Sequence, residues 1–385
     1  MKNIDWDKFQ DKKQIIEYLK KLPRYRNSSL KSAYRRGIFF LNLVYCRIFG
    51  IKKPLFVVLV TNNNCNLNCS YCYGNYGTRK ARDNYSTKQL LQMIDELKKI
   101  GTKLLTIHGG ESLLLKDIGE ILNYAKQKGF YISFNTNGHL IPRKIKELQC
   151  IDTMVISLDG QKQSNDKNRG EGNYQKVMEA IDVVLQHEIP LVISATLTGY
   201  NTDDMVFLAK LGKNKGLRIQ YSILYNQEKL TETDYMGVPA DQQIRDTTRK
   251  IFELKKAGYP IYYSDNVLKT TINWPVSFAK KRYFTLDDAD FTNKQYLIPC
   301  YHGNLKYQID ADGRVVRCWA HDKPDAPNIK TLGIEQAFKQ VQADNYCQHC
   351  AYLANNEHNA VMHLSPKNIL NILYIHIMDS FKLKK

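Results

Sequence analysis

The sequence predicts an α/β protein built on a parallel sheet, and three observations lead there. Short β-rich runs alternate with helical patterns between residues 55 and 222, the signature of repeated βα units. The helices between them carry their own start and stop signals. The residues that could carry chemistry fall just after the strands, where α/β folds bind ligands.

The candidate strands are 55–61, 104–108, 131–136, 153–158, 191–197 and 217–222. Ser86 can cap a helix whose apolar face is Leu90, Leu91, Ile94 and Leu97, and Gly101 can end it. Ile118, Ile121, Leu122 and Ala125 mark a second helix before Gly129, and Val177, Ile181, Val184 and Leu185 a third before Pro190. Six strands fit a doubly wound open sheet or an incomplete barrel, and periodicity does not choose between them. After residue 222 the alternation stops, and a polar connection is expected to lead to a cysteine-bearing segment and an apolar helical tail. The expected divisions are 1–52, an N-terminal helical region; 53–225, the barrel; 226–296, a connection; 297–352, a cysteine-rich unit; and 353–385, a C-terminal helix.

With 43% apolar and 24% charged residues the chain has a globular composition. No apolar run is long enough to span a bilayer, and the polar start MKNIDWDKFQDKKQ does not read as a signal peptide. A cytoplasmic location is expected, where nine cysteines point to metal or redox chemistry before disulfides. The net charge of +18 would suit an anionic partner. Lysine is abundant throughout, however, so the charge reads as a solvated surface and not as a nucleic-acid footprint.

The loop after the first strand reads CNLNCSYC and places Cys65, Cys69 and Cys72 in a C-x3-C-x2-C arrangement. Three thiolates in eight residues can hold three irons of a four-iron cube and leave the fourth open. A zinc knuckle would want a fourth ligand in the loop, and none is there. This spacing, with Tyr71 just before the last cysteine, resembles the radical S-adenosylmethionine (SAM) superfamily. The resemblance implies an incomplete (β/α)6 TIM-like barrel and a [4Fe-4S] cluster that binds SAM. It further implies that Gly109, Gly110 and Glu111 of HGGES form the glycine-rich turn at the SAM amino group, although Ser112 replaces the usual proline. Asn137 of TNG lies near the cofactor by the same likeness. Ser157 is carried over to the ribose region, Arg169 to the methionine carboxylate, and Asp159 to the role of organiser; each of these could equally be a turn or cap residue.

Cys300, Cys318, Cys347 and Cys350 resemble the auxiliary-cluster domain called SPASM, in its shorter twitch form, which implies a second [4Fe-4S] cluster held by all four. Four cysteines with one C-x2-C also satisfy tetrahedral zinc. The segment YQIDADGRVVRC between them reads as a hairpin turning at Asp312-Gly313. Cys46 and Cys150 remain as core thiols, and no histidine is assigned as a general base. The likeness implies SAM cleavage to a deoxyadenosyl radical that takes a hydrogen atom from a peptide, sugar or other small substrate, with electrons from a flavodoxin- or ferredoxin-like reductant. The alternatives are an RNA-modifying methyltransferase, a non-catalytic electron carrier, and an enzyme acting on a lipid at the membrane surface. The last rests on two apolar, basic-flanked runs, 34–49 and 369–381, which otherwise close the barrel's open end.

Overall fold

The computed structural model describes residues 30–72, 74, 84–224, 237–285, 288, 296–321, 324–344 and 347–364. Helix α1 (Leu30–Ile48) precedes six βα-type strands: β1 (Phe56–Val60), β2 (Leu104–His108), β3 (Tyr131–Thr136), β4 (Thr153–Ser157), β5 (Leu191–Leu197) and β6 (Arg218–Ile223). Between them lie α2 (Thr87–Lys99), α3 (Ile118–Gln127), α4 (Lys162–Arg169), α5 (Asn173–Gln186) and α6 (Asp204–Lys215). All six strands expected from the sequence are present, with ends displaced by at most a residue or two. Ser86 caps α2 in a reciprocal box with Gln89, a device worth about 1 kcal/mol. Gly101 and Gly129 take φ of +96° and +86° just beyond the next two helix ends, a backbone state that glycine enters at little cost.

The strands pair in parallel in the order β6-β5-β4-β3-β2-β1. Alternation along each strand divides the side chains between two layers. Leu105, Ile107, Ile132, Phe134, Met154 and Ile156 turn outward and are buried under the helices. The inward positions carry Thr106, Ser133, Asn135, Thr153, Ser194 and Gln220, which line cavities. Branched apolar side chains fill an ordinary closed barrel; these smaller polar ones leave the lumen hollow.

The C-terminal third adds β7 (Tyr283–Thr285), β8 (Lys306–Ile309), β9 (Val315–Val316) and β10 (Cys347–Cys350). The expected hairpin is β8–β9, with Ile309 opposite Val315. Its first strand also pairs in parallel with β1, Phe56 opposite Lys306. Within residues 297–352, read from the sequence as a separate unit, β8 and β9 therefore share the barrel's own sheet. β10 pairs antiparallel with β7, outside it.

One sequence reading is corrected. Residues 241–272, read as part of a polar connection, form a packed layer of α7 (Asp241–Lys256) and α8 (Asp265–Ile272), and Ile261 between them bridges Ile219 on the β6 edge. Ile244, Ile251, Leu254, Val267, Leu268 and Trp274 join the main core from there. Their apolar stripe is diluted by Gln, Arg and Lys, which masks the period. α9 (Ile334–Ala343) and α10 (Leu353–Met362) complete the described elements used below.

Helix α1 lies across the strand starts. Leu43 and Cys46 pack with Leu55, Phe56, Tyr301 and Met362, and Phe39 and Phe40 help wall a lower cavity of about 270 Å³. Its other face leaves Tyr34, Leu41, Tyr45, Ile48 and Phe49 exposed. The second apolar run, 369–381, lies outside the described residues, and no helix among those described is long and apolar enough to cross a membrane.

Candidate active site

The cysteine loop is tied to the end of β2. Thr61 donates its N–H to the His108 carbonyl (2.8 Å), Glu111 donates its N–H to the Asn64 carbonyl (2.7 Å), and Asn62 Nδ2 donates to the Glu111 carbonyl (3.0 Å). Gly110 is required by this closeness: a Cβ there would run into the Asn64 carbonyl. Ser112, where the family's proline is absent, uses its hydroxyl to bond Thr61 (2.9 Å). Asn62 was missed in the sequence because nothing distinguishes it from the two asparagines that follow it.

Glu111 is buried, and its carboxylate points away from the loop. It accepts from the Leu113 N–H (2.9 Å), the Thr136 hydroxyl (3.0 Å) and the Asn137 N–H (2.8 Å), bracing the ends of β2 and β3 together. Burial pushes its pKa up, against the pull of those donors. Asn137 in turn donates to Asn66 (2.8 Å) beside Cys65.

Asp159 gathers the hydrogen bonds of Arg169, Tyr71 and Thr196. Arg169 grips it with a two-pronged fork, Nε to Oδ2 and Nη2 to Oδ1, both 2.9 Å. The Tyr71 hydroxyl donates to Oδ2 (2.5 Å) and the Thr196 N–H to Oδ1 (2.8 Å). The guanidinium edge that remains faces Cys69 Sγ, 4.0 Å from Nη1. Most of the Arg169 fork is thus engaged inside the protein, and the Nη1 edge is what it presents toward the loop. Ser157, Asn137, Gly109 and Gly110 all line the cavity into which Cys65, Cys69 and Cys72 open.

That cavity holds about 390 Å³ and reaches the second cysteine set, with Lys306, Arg317, Cys318, Trp319, Tyr352 and His358 on its far wall. Cys300 lies beside Cys347, whose thiol hydrogen-bonds it and holds the Cys300 pKa below the usual thiol value. Cys347 and Cys350 are buried at the two ends of β10. Lys306 and His358 carried no signal in the sequence; the β1–β8 pairing turns Lys306 inward, and α10 brings His358 to it.

The donor sets fit the iron–sulfur groups that the family resemblance implies. A backbone N–H two residues further on points at Cys65 (Leu67), Cys300 (His302), Cys318 (Ala320) and Cys350 (Tyr352), an arrangement that favours the thiolate each ligand must become. Burial pushes Cys65 and Cys318 up to about 11, so a cation must supply the drive to ionise them. Among the described residues, no three of these side chains converge as a single-ion shell.

The family model described as the Radical SAM superfamily matches residues 59–212. Fe-coproporphyrin III synthase of Methanosarcina barkeri is 31% identical over 218 residues, 54% of either chain. Mycofactocin maturase MftC of Mycolicibacterium smegmatis is 29% identical over 180 residues, 46% of either chain. The chain spans about half the length of these curated relatives. SuiB of Streptococcus suis, in its SAM-bound crystal structure, superposes with a TM-score of 0.59 at 15% identity, over 78% of this chain and 70% of that one, a likeness of fold. The segment that matches the Radical SAM model covers the cysteine loop and the strand ends that surround it.

Proposed function

We propose that this chain is an enzyme that reductively cleaves SAM and abstracts a hydrogen atom from a peptide or other small substrate, leading to oxidation or bond formation. The observation that carries this reading is the single cavity shared by Cys65, Cys69, Cys72 and Cys318. When bound, the first cluster and SAM supply the low-potential electron and the primary radical that side chains cannot. Cys65, Cys69 and Cys72 hold that cluster; Cys300, Cys318, Cys347 and Cys350 hold the second. The chain's part is to place and shield. The Asp159–Arg169–Tyr71 unit fixes the loop's far side, Glu111 fixes its near side, and Gly109 and Gly110 let backbone approach the methionine end of SAM. Asn137 and Ser157 face the same space as hydrogen-bond partners.

A peptide substrate draws support from SuiB, solved with its precursor peptide SuiA, and from the maturase relative. The mycofactocin and coproporphyrin names belong to those proteins; the cavity wall suits a substrate that hydrogen-bonds to Gln220, Gln308 and Asn355. A flavodoxin- or ferredoxin-like protein is the reductant in this reading. The test is product mass in deuterated solvent with reconstituted protein: loss of two hydrogens supports oxidation, and an unchanged formula with one deuterium gained means epimerisation instead. Absence of 5′-deoxyadenosine would remove the reading altogether.

A second reading, contact with a membrane surface and a lipid substrate, is favoured by the exposed apolar face of α1. Failure of the full chain to bind anionic liposomes would end it.

A further inference from the structure

Lys306 begins β8, and its pairing opposite Phe56 turns the side chain into the barrel. Only 6% of the residue is exposed. Its Nζ donates to His358 Nδ1 (2.8 Å) and sits 4.8 Å from the centre of the Phe56 ring. His358 is half-buried, and desolvation holds its pKa well below the ordinary range; it is a neutral brace that can accept but cannot neutralise. Among the described residues no carboxylate lies within 4 Å of this ammonium. An isolated buried ammonium is costly to desolvate, and proteins rarely keep one without a counter-charge. Burial pulls the Lys306 pKa down to about 8, and Cys318, which lines the same cavity, acts against that pull together with Cys300 and Cys350 once they are thiolates.

We infer that Lys306, held in place by His358, is the built-in counter-charge of the four-cysteine site and makes the group bound there easier to reduce. This rests on the reading that Cys300, Cys318, Cys347 and Cys350 hold an iron–sulfur cluster. Four thiolates outweigh the positive iron–sulfur core, so the ligated cluster is an anion, and one added electron makes it more so. A fixed positive charge in a low-dielectric wall stabilises the reduced form more than the oxidised one and raises the potential. The placement also suits the task, because Lys306 lines the cavity that both cysteine sets share. Electrons leaving a substrate radical would then meet a cluster poised to accept them.

The experiment uses the full chain with Cys65, Cys69 and Cys72 changed to Ala, so that only the second cluster forms, titrated with dithionite and read by electron paramagnetic resonance. Lys306→Met should lower the reduced-to-oxidised ratio at a fixed potential about tenfold, a midpoint about 59 mV more negative for a one-electron couple, while Lys306→Arg stays close to the parent. Loss of the iron in Lys306→Met with its retention in Lys306→Arg would also support the charge requirement. An unmoved midpoint in Lys306→Met, or equal shifts or equal iron loss in both variants, would overturn the inference, since volume and not charge would then be what the site needs. If the parent itself holds no four-iron cluster, the cysteine assignment fails first, and the inference with it.

Discussion

The two cysteine sets are built in opposite ways. Cys65, Cys69 and Cys72 come from one eight-residue loop and are half-exposed to the cavity. Cys300, Cys318 and the Cys347–Cys350 pair come from three separate segments, and the pair is buried. The first set needs a loop held in place, which Gly110, Glu111 and Asp159 do from outside it. The second needs β8 on β1 and β10 on β7 before its sulfurs meet. A local site is open and suited to exchanging a ligand; a site assembled from distant segments is closed and suited to holding one. In this molecule the open site sits at the strand ends and the closed one against the barrel wall, facing each other.

The widest separation between them should come from changing Cys65, Cys69 and Cys72 together to Ala. Iron content is expected to halve and 5′-deoxyadenosine formation to vanish, as metal analysis and chromatography would show. Cleavage that survives would mean that the open site is not the reactive one. The complementary change is Asn359→Leu. Asn359 is fully buried and accepts the Tyr301 N–H (2.9 Å) next to Cys300, so its loss should remove the second cluster while SAM cleavage continues without substrate turnover. If both clusters fell together, the two sites would be one cooperative unit.

Asp159→Asn is expected to cost about 3–5 kcal/mol in chemical denaturation, since it leaves the Arg169 guanidinium buried without its partner. It should also loosen Tyr71 and Cys69 and slow cluster insertion at the first site alone. The smallest effect concerns acidity. Burial raises the Glu111 pKa in the fold, so its contribution is present in full below the unfolded value and fades as pH rises through the folded one. Wild type should therefore gain on Glu111→Gln as pH falls, in denaturation midpoints taken from neutral to acidic pH. A difference that stays constant across that range would show the carboxylate titrating normally.

Much of the first site was legible in the sequence because its information is local. The cysteine spacing, the HGGES turn and the strand before each are short-range patterns, and the backbone at those points needs only glycine or a cap to take its shape. The Arg169–Asp159 fork was less so. Both residues were singled out, but a separation of ten positions in the sequence does not say that the guanidinium turns to the carboxylate. Residues 241–272 were read as a connection because their apolar stripe is thin, and only packing on β6 reveals it.

What the sequence alone determined is the list of strands, the caps and breaks of the helices, and which residues carry sulfur, all set by alternation, side-chain entropy and backbone freedom within a few residues. What only the tertiary structure decided is which of those residues meet. Pairing β8 with β1 fixes the register that turns Lys306 inward and brings Cys318 to the cavity of Cys65, Cys69 and Cys72. That pairing joins segments some 250 residues apart, and its energy comes from burying surfaces that no window of the sequence contains.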